Sequence, residues 1–134
     1  MGDDCDRGEG RHPIVLVVDD NPAIRDMVAW ALELDGYEPA EAAEGQEALA
    51  WLDNAVREGR YPAVILLDLA MPGMDGETFL QRLRSRWEPA YPFPRIVVIT
   101  AGSGLDTAAS EVQQVIVKPF HVRDLLDVIR RLTP

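Results

Sequence analysis

The sequence predicts an α/β domain built on a parallel sheet with helices on both faces, and three observations carry that reading. Residues 14–18, 64–68, 96–100 and 115–118 are continuous apolar runs, each closing on or running into a polar residue, as strands buried on both faces do. Stretches with apolar residues at helical spacing separate them, so strand and helix alternate through five βα units. Four of the runs lead into Asp19-Asp20, Asp68, Thr100 and Lys118, so the polar residues gather at one strand edge.

Residues 14–18, Ile-Val-Leu-Val-Val, form the first predicted strand. Asn21 then offers an N-cap and Pro22 the first helical position, and Ile24, Met27, Val28, Ala31 and Leu32 mark an amphipathic helix closed by Gly36. A short second strand is expected over 37–41. Ala48, Leu49, Leu52 and Val56 mark a second helix ending near Gly59. The run Val64-Ile65-Leu66-Leu67-Asp68 is the central strand, followed by a turn-rich loop through Pro72, Gly73 and Asp75-Gly76. A third helix carries Phe79, Leu80 and Leu83. Prolines at 89, 92 and 94 then forbid a helix before the strand at 96–100. The run 115–118 is a fifth strand. Val122, Leu125, Leu126 and Ile129 define the last helix, whose Arg130 and Arg131 suit its C-terminal dipole.

A chain of 134 residues with 47% hydrophobic and 27% charged content is one globular domain. Residues 1–12 read as a flexible acidic tail ahead of a domain over 13–134, without the basic and apolar regions of a secretory signal. No apolar run reaches the ~20 residues of a membrane span, so no membrane partner is expected. Cys5 is the one cysteine, which excludes an internal disulfide and fits a cytoplasmic location. A net charge of -10 argues against nucleic acid as a partner. His12 and His121 lack metal-ligand spacing, and His121 reads as a helix-start residue.

Asp19, Asp20, Asp68, Thr100 and Lys118 make chemical sense together. Neighbouring carboxylates repel by about 1 kcal/mol per pair in water and about 4 at an effective dielectric near 20, a strain that a divalent cation relieves. An all-oxygen site selects Mg²⁺, with Mn²⁺ as the alternative, over Zn²⁺. The Lys118 ammonium and Thr100 hydroxyl can meet the oxygens of a phosphoryl group.

Residues 17–22 (VVDDNP), 66–76 (LLDLAMPGMDG), 98–101 (VITA) and 117–120 (VKPF) together resemble the signatures of the response-regulator receiver domain of two-component signalling, over about residues 13–133. The resemblance implies a flavodoxin-like fold with strand order 2-1-3-4-5. It implies phosphorylation of Asp68 by a histidine kinase or a histidine phosphotransfer protein in a Mg²⁺-dependent phosphorelay, with output through a downstream protein target. Metal would be held by Asp19, Asp20, Asp68 and the backbone carbonyl of Ala70. Thr100 and the backbone amide of Ala101 would be the switch, Lys118 the phosphate contact, and Pro119 a cis-proline. Self-phosphorylation and autodephosphorylation would be the only chemistry, so the domain is not expected to be an enzyme.

Two departures from the receiver pattern stand out. Val115 occupies a position where receivers usually carry Tyr or Phe. The interval from Thr100 to Lys118 is short by roughly one helical turn, so the fourth helix is expected to be short or degenerate. Signalling would then act by ordering residues 101–110 instead of by turning an aromatic ring. The alternatives are a degenerate receiver serving only as a protein-binding module and a flavodoxin-like ligand-binding domain. Asp19-Asp20-Asn21 would repel the phosphate of a flavin. A haloacid-dehalogenase-like phosphatase would want an acid where Ala70 stands.

Overall fold

The computed structural model describes residues 12–68, 76–87, 92–100 and 112–133. Its elements run β1 (Ile14–Val18), α1 (Pro22–Leu34), β2 (Glu38–Ala42), α2 (Gly45–Arg57), β3 (Val64–Asp68), α3 (Gly76–Arg86), β4 (Arg95–Thr100), β5 (Val112–Val117) and α4 (Val122–Leu132). The five strands form one sheet in the order β2-β1-β3-β4-β5, and every pair is parallel. This is the doubly wound, flavodoxin-like arrangement with strand order 2-1-3-4-5. Four helices lie among the described residues. The predicted tail (1–11 of it), the Ala70 carbonyl, the Ala101 amide and the segment 101–110 with its fourth helix lie outside them.

Strand alternation divides the core in two, because successive side chains point to opposite faces. Leu16, Val18, Ile65, Leu67, Ile96 and Val98 face one way and pack with Leu49 and Leu52 of α2 and Phe79, Leu80 and Leu83 of α3. Val15, Val17, Val64, Leu66, Val97 and Ile99 face the other way and pack with Val28 and Leu32 of α1 and Leu125, Val128 and Ile129 of α4. A slip of one residue in any of these three central strands would exchange the two sets, so both helical layers fix the register.

The helix ends follow their sequence signals. The Asn21 side chain accepts from the amides of Ala23 (3.0 Å) and Ile24 (3.2 Å), capping α1 ahead of Pro22. Gly36 and Gly59 take positive φ, +92° and +75°, where α1 and α2 hand over to the chain beyond. His121 caps α4 through its carbonyl, which accepts from the amides of Asp124 and Leu125.

Several boundaries and faces differ from the sequence prediction. β2 begins one residue later than expected, at Glu38, and β5 three residues earlier, at Val112. Both are edge strands and only partly buried, so their sequences lack the continuous apolar run that marks β1, β3 and β4. On α1, Met27 was expected on the core face but is 44% exposed. Apolar residues at 23, 24, 27–32 and 34 leave the phase of this helix ambiguous in sequence. The sheet selects Val28 and Leu32, and Met27, Trp30 and Leu34 form an outward stripe.

The C-terminal helix is tied to the corner between α1 and β2. Arg130 donates two hydrogen bonds of 2.9 Å, from Nε and Nη2, to the two carboxylate oxygens of Asp35. The hydroxyls of Tyr37 and Thr133 meet at 3.0 Å. On the opposite face of the sheet Trp87 packs edge-on against Tyr61 and Phe93, and its Nε1 donates to the Pro92 carbonyl.

Candidate functional site

Three central strands and one edge strand bring their C-terminal ends together, as the sequence predicts. β1 leads into Asp19 and Asp20, β3 ends on Asp68, β4 on Thr100, and β5 leads into Lys118. In open parallel sheets this edge, next to the point where strand order reverses between β1 and β3, is where ligands bind. Asp19 and Asp68 are each only 2% exposed and Thr100 7% exposed, whereas Asp20 is exposed.

One carboxylate oxygen from each of Asp19, Asp20 and Asp68 lies within 4.8 Å of the others, a spacing that a single cation can bridge. The Lys118 ammonium reaches into this group, 3.3 Å from Oδ2 of Asp68 and 4.0 Å from Oδ2 of Asp19. Lys118 is positioned by its own backbone, because its amide donates to the Thr100 carbonyl at 2.7 Å and so extends the β4–β5 ladder by one bond. The peptide bond that follows, Lys118–Pro119, is cis.

Asp19 is unevenly satisfied. Its Oδ1 accepts from the amide of Asn21 at 2.9 Å, while Oδ2 is buried without a hydrogen-bond partner among the described residues. Burial raises the pKa of this carboxyl above its ordinary value; the charges of Asp68 and Asp20 push the same way, and the Asn21 amide and Lys118 oppose them. A buried carboxylate oxygen with no hydrogen bond from the described residues, facing two further carboxylates, is the donor set that a hard divalent cation satisfies. The residues present therefore fit a magnesium ion.

Arg25 and Glu41 adjoin the site and were not singled out in the sequence. Arg25 Nη1 donates to the Asp19 carbonyl at 2.7 Å, and its Nε lies 3.4 Å from Glu41 Oε1 at the end of β2. The only sequence signal is a basic residue at the end of the first turn of the helix that follows the acidic pair.

A doubly wound sheet with three carboxylates, a hydroxyl and an amine at its C-terminal edge defines a phosphoryl- or cation-binding α/β domain. Residues 15–130 match the response regulator receiver domain, and the chain belongs to that family. It is 38% identical over 130 residues to the phosphate regulon transcriptional regulatory protein PhoB of Pseudomonas aeruginosa, covering 90% of this chain and 53% of that protein. It is 34% identical over 126 residues to the DNA-binding dual master transcriptional regulator RpaA of Synechocystis, covering 90% of this chain and 48% of that protein. The chain thus spans about half the length of these curated relatives.

Among solved structures, a CheY-like receiver domain from Methanospirillum hungatei superposes with a TM-score of 0.77 at 28% identity, covering 90% of this chain and 93% of that one. The response regulator TrrA of Thermotoga maritima, in complex with Mg²⁺-BeF, superposes with a TM-score of 0.71 at 28% identity, covering 90% and 99%.

Proposed function

We propose that this receiver domain accepts a phosphoryl group on Asp68 from the phosphohistidine of a histidine kinase or phosphotransfer protein, as one step of a phosphorelay. The observation that carries the reading is the placement of Asp68 at the sheet edge beside Asp19, Asp20 and the Lys118 ammonium. An Asp68 carboxylate oxygen forms the new O–P bond as the N–P bond to the donor imidazole breaks, and the imidazole keeps the electron pair. Asp19, Asp20 and Asp68 would hold Mg²⁺, which when bound neutralises charge on the phosphoryl oxygens. Mn²⁺ would serve in its place.

Lys118 contributes a charge-assisted contact to a phosphoryl oxygen, and Thr100 a hydroxyl. The Ala70 carbonyl and Ala101 amide are assigned their roles from the family resemblance. The acyl phosphate is lost to water, so the domain modifies itself and turns over no separate substrate. Output passes to a protein partner in the cytoplasm. Among the described residues no helix is long and apolar enough to cross a membrane. The net charge of -10 supports a receiver that does not itself hold nucleic acid, even though RpaA is named as DNA-binding.

Acetyl phosphate with Mg²⁺ is expected to add one phosphoryl group, seen by intact mass, and Asp68→Asn to remove it. Label retained in that variant, or mapped by peptide analysis to another residue, would overturn the assignment.

A further inference from the structure

We propose that Arg25, held by Glu41, is a positioning residue for the acidic site, setting the geometry with which Asp19 and Asp20 meet a divalent cation. The inference rests on the reading of Asp19, Asp20 and Asp68 as a cation site.

Asp19 is pinned from three directions. Its amide donates to the Ala42 carbonyl at 3.1 Å, which ties it to the end of β2. Its Oδ1 accepts from the Asn21 amide. Its carbonyl accepts the 2.7 Å bond from Arg25 Nη1. The third bond reaches furthest, because the Asp19 carbonyl belongs to the peptide plane joining Asp19 to Asp20. That plane is rigid and contains both Cα atoms. Holding its oxygen therefore restricts how the plane can turn between the two Cα atoms, and with it the directions from which the two carboxylates leave the backbone. Asp20 is exposed, so little packing orients it otherwise.

The Arg25 guanidinium is suited to this work. Its side chain is only 18% exposed, and its planar fork spans from the Asp19 carbonyl to Glu41. Glu41 offsets a positive charge that would otherwise stand beside a cation site.

Charge and geometry predict opposite results, which makes the role testable. If Arg25 acted only as a nearby charge, removing it would tighten Mg²⁺ binding. If it positions the two carboxylates, removing it weakens binding, as loss of partners that orient metal ligands does, by about tenfold.

The experiment is calorimetric titration of the full chain with MgCl₂ for the wild type, Arg25→Met and Arg25→Lys, with urea unfolding in chelator as the check on folding. Arg25→Met is expected to bind Mg²⁺ about tenfold more weakly. Arg25→Lys is expected to fall between, because one ammonium keeps the charge but cannot span both partners. Should Arg25→Met not fold, weakened binding by folded Arg25→Lys carries the result. Wild-type binding with unchanged or tighter affinity in the folded variants would overturn the positioning role alone. Absence of Mg²⁺ binding by the wild type would remove the cation site and this role together.

Discussion

Lys118 donates a 3.3 Å hydrogen bond to Asp68 across an intervening strand. β3 and β5 are both neighbours of β4 and not of each other, which puts their backbones about 10 Å apart. A long, flexible amine is the side chain that spans such a gap, and it arrives beside the carboxylate assigned to the phosphoryl group.

Lys118→Ala should leave the fold intact but lower stability in chelator, because it removes the positive charge beside two buried carboxylates. A lost charged hydrogen bond is worth about 1.5–3 kcal/mol in general, and the partial exposure of Lys118 places this one toward the low end. Urea unfolding measures the change, and added Mg²⁺ is expected to narrow it by supplying another positive charge.

Asp19→Asn should do the reverse. The folded-state pKa of Asp19 is raised, so its share of metal-free stability is greatest below its unfolded value of 3.8 and is lost as pH rises through the folded value. At neutral pH the charge therefore costs stability, and the amide is expected to raise the melting temperature in chelator. In the wild type, Mg²⁺ at a hundredfold excess over Kd should add about 2.7 kcal/mol, and Asp19→Asn should lose that response. Calorimetric melting curves in chelator and in Mg²⁺ check both halves.

The Asp35–Arg130 pair gives a second pH dependence, of opposite sign. The hydrogen bonds from Arg130 hold the Asp35 carboxyl below its ordinary 3.8. Its contribution is present above that value and is lost as pH falls through the lowered one. Wild type should exceed Asp35→Asn in urea midpoint above about pH 5, with the gap closing in stronger acid.

Leu66→Ala should cost about 2–5 kcal/mol, since this side chain is fully buried between β1, β4 and the α1/α4 layer. Trp30→Ala, at 65% exposure on the outward stripe of α1, should change stability by about 0.5 kcal/mol or less. Comparable losses at the two positions would mean that α1 is rotated from the orientation described.

The parts of the fold most legible in the sequence were those with a single solution. β1 and β3 read correctly to the residue because strands buried on both faces must be apolar throughout, and β4 was misjudged only by the addition of Arg95. The edges were less legible. β5 includes Gln113 and Gln114, which an edge strand tolerates and a run-based reading rejects. The acidic site was legible because the alternation of strands and helices sends every strand end to one edge. Arg25 was not, because its role depends on the fold of the turn at Asp19 and on Glu41, sixteen positions further along the chain.

The bonds that tie α4 to the corner after α1 join residues 95 and 96 positions apart. Loop closure over such lengths comes late, because entropy must be given up before the contact rewards it. During synthesis, at about 5–20 residues per second, β1, β3, β4, α2 and α3 are complete by residue 100, so one face of the sheet can be sealed first. The other face must wait a few seconds more for Leu125 and Ile129, leaving Val15, Val17 and Leu66 half-covered in the nascent chain. That face is the last to be covered as the chain emerges, and it is during that interval that a chaperone would find apolar surface to hold.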